Sequence, residues 1–145
     1  MVSRDTGKGE SLGREHFRPH ACTCEILKKA YALACFNVLA HNRDDHARNF
    51  SFLLGADKRW VLAPAYDLTF SHGPNGEQSM LLLGEGRDPG VEGLTELGRK
   101  HSIKRARQIL ERVQSAVARW VEFSEQAGVT KRSATQIEKI LRAKS

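Results

Sequence analysis

Residues 41–50 read HNRDDHARNF and gather many side chains that can do chemistry. Two adjacent carboxylates, Asp44 and Asp45, stand among two histidines, two arginines and two asparagines. Such a stretch suits three roles: a solvated loop, a metal site, or the acid–base centre of an enzyme. The choice between them depends on which other polar residues the fold brings close.

A β-hairpin is predicted directly after this stretch, because two short apolar runs, 50–54 and 60–63, flank five turn-forming residues. A hairpin returns the chain to its starting point. Asn49, before the first strand, and Asp67, after the second, are therefore expected at the same end. With Asp44 just upstream, carboxylate and amide oxygens would converge there. Mg²⁺ prefers such oxygen ligands and completes its coordination with waters and substrate phosphates.

The spacing within the polar stretch matches the catalytic loop of protein kinases, H-R-D-x-x-x-x-N. In that loop the aspartate accepts the proton of the substrate hydroxyl and the asparagine holds a metal ion. Here Arg43 and Asp44 are followed by four residues and then Asn49, with Asn42 in place of the histidine. The kinase metal-binding aspartate lies beyond a hairpin in D-F-G, and here Asp67 follows the hairpin in YDL, without the glycine.

Two segments, FNVLAHNRDDHARNFSFL and LAPAYDLTFS, resemble the C-terminal lobe of HipA-type toxin kinases. These are the serine/threonine kinases of type II toxin–antitoxin pairs, and the resemblance covers about residues 24–125. It implies a kinase-like lobe with Asp44 as the catalytic base and with Asn49 and Asp67 as Mg²⁺ ligands. His46 would contact phosphate or hold the loop.

The same resemblance implies ATP and Mg²⁺ as cofactors, a protein substrate, and a HipB-like DNA-binding antitoxin through which the chain would associate indirectly with DNA. It gives the glycine-rich residues 71–90 the place of an activation-type loop. Asp45 receives no chemical role and is expected to brace the loop, through Arg43 or through backbone amides.

Residues 1–22 are interpreted as a loose segment before a HipA-like lobe at 23–145. No glycine-rich strand pair and no lysine-bearing strand, which a kinase needs to hold its nucleotide, precede residue 24. The chain is therefore expected to be the C-terminal part of such a kinase, truncated at its N-terminus, with little activity alone. One alternative is a non-catalytic module that binds an antitoxin or nucleic acid. Another is a metal-dependent phosphohydrolase that uses the DDH triplet.

The apolar pattern predicts a mainly α fold, a helical body with one small β-hairpin that carries the catalytic loop. A first helix is predicted over about 23–40 and a second, long one over 102–126 with Ser102 as its N-cap. Ser133 and Gln136 form a capping-box pattern that predicts the start of a last helix.

Residues 71–101 hold most of the glycines and are expected to form a long loop. Within it we expect a short strand at 79–83 and a short helix near 92–97. Trp60 and Trp120 are expected to anchor the core.

The composition, with 40% hydrophobic residues, is typical of a globular protein. It places few other limits on function. No apolar run is long enough to span a membrane, so a cytoplasmic location is expected. Three cysteines, an odd number, argue against a disulfide scaffold. Residues 1–97 carry 11 basic and 13 acidic side chains, whereas residues 98–145 carry 12 and 4. This basic tail could be a solvated helix surface or could bind nucleic acid or an acidic partner.

Overall fold

The computed structural model describes residues 21–143, and this part of the chain is mainly helical. Its elements are α1 Ala21–Leu39, β1 Phe52–Leu54, β2 Trp60–Leu62, α2 Gly90–Lys100, α3 Ala106–Ala118, α4 Trp120–Gln126 and α5 Lys131–Arg142. The predicted fold class, a helical body with one small hairpin, is confirmed. Most of the segment expected to be loose, residues 1–20, lies outside the described residues. Within 21–143, no helix combines the length and the apolar character that crossing a membrane requires.

The core forms where α1 packs against α2 and α3. Tyr31, Cys35 and Val38 recur at helical spacing, lie on one face of α1 and are buried. They meet Leu94 of α2 and Leu110 of α3, both also buried. The hydroxyl of Tyr31 donates a hydrogen bond to the Leu94 carbonyl oxygen over 3.0 Å, so this polar group within the apolar contact is paired.

The hairpin is antiparallel, with cross-strand pairs Phe52–Leu62, Leu53–Val61 and Leu54–Trp60. Its turn closes through a 2.9 Å hydrogen bond from the Gly55 N–H to the Arg59 carbonyl. The predicted hairpin is thus confirmed. The expectation that Trp60 anchors the core is wrong, because this side chain is 57% exposed.

The long helix predicted from Ser102 is two helices, and neither begins there. Ser102 and Arg105 both have a left-handed backbone, with φ of 50° and 62°, so helical geometry starts only at Ala106. A second break falls at Arg119, between α3 and α4. It turns α4 towards α5, where the Trp120 indole N–H donates to the Ala134 carbonyl over 3.0 Å.

Two further local predictions need correction. The N-cap of α5 is Thr130, whose hydroxyl accepts from the Ser133 N–H over 3.3 Å, so the predicted cap residue lies inside the first turn. The strand predicted at residues 79–83 does not form. Instead Leu82 and Glu85 exchange two backbone hydrogen bonds of 2.8 and 3.0 Å across a tight turn. The short helix expected near 92–97 is present as α2, longer at both ends.

Candidate functional site

The polar loop begins where α1 ends, and two buried asparagines fix its start. Asn42 is 1% exposed, and its side-chain N–H donates to the side-chain oxygen Oδ1 of Asn37 over 3.0 Å. Its backbone N–H donates to the Asn37 backbone carbonyl over 2.8 Å. His41 has a left-handed φ of 56°, and its backbone carbonyl accepts from the Ser71 N–H over 3.0 Å. The loop is therefore joined both to α1 and to the chain that follows the hairpin.

Three rings reinforce this junction. The His41 ring stacks on Phe70 with centroids 5.2 Å apart, and His72 meets both rings edge-on. Edge-to-face and offset stacked pairs are the favoured arrangements of such rings. They hold residues 70–72 against the end of α1.

Arg43 connects the polar loop to the glycine-rich segment. Its guanidinium donates to the backbone carbonyls of Gly76 and Arg87, the latter over 2.9 Å. In return, the Arg43 carbonyl accepts from the backbone N–H and the hydroxyl of Ser79, each over 3.1 Å. Because its guanidinium binds these two carbonyls, Arg43 acts here as a support for the loop. Sequence reasoning missed this role, since the partners lie far along the chain.

The adjacent aspartates have opposite environments. Asp45 is 6% exposed, and its carboxylate accepts from the Met80 backbone N–H over 3.1 Å. Burial raises the pKa of Asp45, while the backbone N–H groups of Met80 and Ser79 act in the opposite direction. This contact agrees with the expectation that Asp45 braces the loop through backbone amides. Asp44 is exposed, and within residues 21–143 its carboxylate has no hydrogen-bond or ion-pair partner.

Asn49 closes a short 3₁₀ turn, Ala47–Asn49, and is buried. Its backbone N–H donates to the His46 carbonyl over 2.9 Å, and its side-chain N–H donates to the Asp44 backbone carbonyl over 3.1 Å. The amide nitrogen is thus occupied, which leaves the amide oxygen as the atom that can accept or ligate. The ring nitrogen Nδ1 of His46 is buried and has no hydrogen-bond partner in the described part of the chain.

Tyr66 brings the chain after the hairpin back to the polar loop. Its hydroxyl donates to the Arg48 backbone carbonyl over 2.5 Å and lies 2.6 Å from the Ser51 hydroxyl. The residues just before Asn49 and just before Asp67 are therefore in direct contact. This contact connects the two segments, and the convergence of the Asn49 and Asp67 side chains themselves stays a prediction.

Asp67 has a left-handed backbone with φ of 54° and an exposed side chain. Aspartate tolerates this conformation better than most residues, and such conformations cluster at functional sites. No hydrogen bond or ion pair to its carboxylate occurs among residues 21–143. Both carboxylate oxygens are accordingly available to a ligand.

The donor set fits a cation that keeps most of its shell from water or phosphate. Within the described residues, no three His, Cys, Asp or Glu side chains form a metal-binding group by themselves. Asn49 and Asp67 offer an amide oxygen and a carboxylate, which is a donor set typical of Mg²⁺ bound with a phosphate substrate. Cys35 offers no thiolate ligand, because its pKa is raised to about 11, with burial as the main cause.

A first helix leads into a polar loop, a hairpin and an exposed left-handed aspartate, within a mainly helical domain. Residues 14–121 match the family described as the HipA-like C-terminal domain. Since the match spans most of the chain, the protein belongs to this family, and the resemblance seen in the sequence is confirmed. Neither the curated proteins nor the solved structures contain a match to this chain.

Proposed function

We propose that this chain is the catalytic-loop lobe of a HipA-like serine/threonine protein kinase, which transfers a phosphoryl group from ATP to a protein hydroxyl. The observation that carries the proposal is the hydrogen bond from Tyr66 to the Arg48 carbonyl. It joins the residue before Asp67 to the residue before Asn49. The order of Asp44, Asn49 and Asp67 along the chain matches that of the kinase catalytic loop and its metal-binding aspartate. In the same proposal the chain is the toxin of a toxin–antitoxin pair, with a HipB-like antitoxin as its partner.

Each residue has a proposed task that its environment allows. Asp44, exposed and without a partner in the described chain, would accept the proton of the substrate hydroxyl. Asn49 and Asp67 would bind Mg²⁺ through the oxygens that remain available. His46 would contact phosphate or hold the loop; its buried Nδ1 has no hydrogen-bond partner among residues 21–143. When bound, ATP would supply the phosphoryl group and Mg²⁺ would neutralise its charge, while the chain would contribute mainly position and electrostatics.

The hairpin supports the further proposal that this lobe works with a protein segment outside residues 21–143. Successive residues of a strand face opposite sides, yet Phe52, Leu53 and Leu54 are each more than half exposed. Apolar side chains are therefore uncovered on both faces of β1. A two-stranded hairpin is marginally stable by itself. We propose that the segment supplying the nucleotide clamp, in the same or in another polypeptide, covers it.

The alternative of a nucleic-acid-binding tail is less favoured. Four arginines of the basic tail, residues 98–145, form ion pairs with glutamates one helical turn away: Arg99–Glu96, Arg107–Glu111, Arg119–Glu122 and Arg142–Glu138. These pairs compensate part of the positive charge that a phosphate backbone would need.

Calorimetry with Mg²⁺ and ATP tests the ligand roles. We expect weak binding to the isolated chain, lost in Asp67→Ala and in Asn49→Ala. Asp57→Ala is the matched control, because Asp57 is an exposed aspartate of the hairpin turn whose ion pair is with Arg59. Unchanged binding by Asp67→Ala would remove this residue from the proposed metal site.

Phosphoryl transfer tests the role of Asp44. The isolated chain is expected to show little transfer, and a polypeptide with a nucleotide clamp should restore it. Asp44→Asn should then lower the rate by about a hundredfold or more, the usual contribution of a general base. Transfer by the isolated chain that depends on Asp44 would show that no second polypeptide is required.

A further inference from the structure

A groove of about 500 Å³ runs between α1 and α3, and no residue of the polar loop lines it. Its rim carries four cations, Lys28, Lys29, Arg105 and Arg112, against one carboxylate, Glu25. Glu25 is already engaged, since its carboxylate lies 2.6 Å from the Lys28 ammonium. The rim therefore holds a surplus of positive charge that the groove itself does not compensate.

Apart from Gln108, the uncharged residues that line the groove are apolar. Phe36 of α1 and Ile109 and Val113 of α3 line the groove and are only half-buried. Apolar side chains left partly open at the bottom of a charged groove favour a partner that brings apolar side chains of its own.

The groove continues into a second cavity. Phe36 and Ala116 line both, and the second, of about 250 Å³, is bounded almost entirely by apolar groups, with Trp120 and Phe123 among them. The combined surface is thus basic along one part and apolar along the other. Leu68, one residue after Asp67, also lines the apolar part.

We propose that this groove binds an acidic amphipathic helix of a partner protein. A helix places apolar side chains at i, i+3, i+4 and i+7 on one face and acidic ones beside them, which complements an apolar floor under a basic rim. A nucleic acid fits less well, because its backbone could use the cations but not the apolar lining.

Fluorescence anisotropy with the complete chain tests the proposal. The probe is a labelled, acetylated and amidated peptide with leucine at i, i+3, i+4 and i+7 and glutamate between them. A second peptide has the same composition in scrambled order, and a third probe is a short DNA duplex. The amphipathic peptide should bind at least about tenfold more tightly than the scrambled one and more weakly at high salt.

Charge reversal locates the binding. The variant with Lys29→Glu and Arg112→Glu should bind the amphipathic peptide at least about tenfold more weakly. Reversing two exposed cations of α5, with Lys131→Glu and Arg132→Glu, changes the net charge equally and should leave the affinity within about twofold. Circular dichroism checks that both variants are folded.

Three results would overturn the proposal. Equal binding of the scrambled peptide would mean that charge alone is recognised. Tighter binding of the DNA duplex, weakened by the same rim variant, would make the groove a nucleic-acid site. No binding of the amphipathic peptide up to millimolar concentration would mean that the groove does not take such a helix.

Discussion

Burial makes the two adjacent aspartates of the polar loop chemically different. The Asp45 carboxylate is enclosed and holds the Met80 N–H, so its loss would leave a backbone donor without a partner. The Asp44 carboxylate faces solvent at the base of the hairpin. The loop thus combines a buried, supporting carboxylate with an exposed one.

Alanine at each position should separate these tasks. Asp45→Ala is expected to lower the free energy of unfolding by about 1–3 kcal/mol, the usual loss for a buried unsatisfied donor. Asp44→Ala should change it by less than about 0.5 kcal/mol, because the side chain is exposed. Denaturant unfolding of the two variants measures both values. Equal losses would contradict the supporting role of Asp45.

The ionisation of Asp45 should make stability depend on pH. Burial raises the pKa of Asp45 above its ordinary value of 3.8, so the folded chain keeps this proton to higher pH than the unfolded chain does. Its contribution to stability is therefore complete below that value and is lost as the pH rises through the folded pKa. Asp45→Asn cannot ionise, so its stability relative to the parent should increase as the pH rises from below 3.8 through the folded pKa. Denaturation of both proteins across this range checks it, and a constant difference would contradict it.

At the scale of elements, the glycine-rich segment is held close to the polar loop by Arg43 and Asp45. Gly73 makes this possible, because it has a left-handed φ of 67° and an added Cβ would lie 2.6 Å from the Arg43 Cβ. The same Cβ would come closer still to the Glu77 backbone carbonyl, which cannot move cheaply. Close packing at Gly73 is therefore part of how the segment is fixed.

Gly73→Ala should destabilise the chain much more than Gly84→Ala. Gly84 also has a left-handed backbone, with φ of 93°, but nothing lies within 4 Å of its added Cβ. Gly84→Ala should lower the free energy of unfolding by about 1–2 kcal/mol through backbone strain alone, and Gly73→Ala by more. Limited proteolysis should also cut residues 71–88 faster in Gly73→Ala. Similar effects of the two substitutions would argue against close packing at Gly73.

Local signals decided which elements could be predicted. The stripe on α1 and the turn residues of the hairpin act between near neighbours, so the sequence was sufficient for both. The break at Arg119 was missed because it accompanies a contact between residues distant in sequence, from the Trp120 indole N–H to the Ala134 carbonyl. At the site, spacing identified the candidate residues, but not the supports of Arg43, whose partners are 33 and 44 residues away.

At the scale of the whole molecule, the described chain covers its helical core and leaves its hairpin open. The core residues of α1, α2 and α3 are almost fully buried, whereas five large apolar side chains of the two strands are 39–57% exposed. Such an open apolar surface usually marks a contact with another chain. The isolated lobe is therefore expected to associate with itself through the hairpin at high concentration.

Threonine at one exposed cross-strand pair tests this expectation. Leu53 and Val61 face each other, and threonine keeps the preference for a strand while removing apolar surface. The double variant Leu53→Thr with Val61→Thr should show less self-association by sedimentation velocity and less binding of an apolar dye. Its free energy of unfolding should change by less than about 1 kcal/mol, since both side chains are exposed.

Leu62→Thr is the matched control, because Leu62 lies in the same hairpin but is 7% exposed. It should lower the free energy of unfolding by about 2 kcal/mol or more through lost apolar burial. If the double variant were destabilised as strongly as this control, the outer pair would belong to the core of the chain itself. The hairpin would then need no further protein segment to cover it.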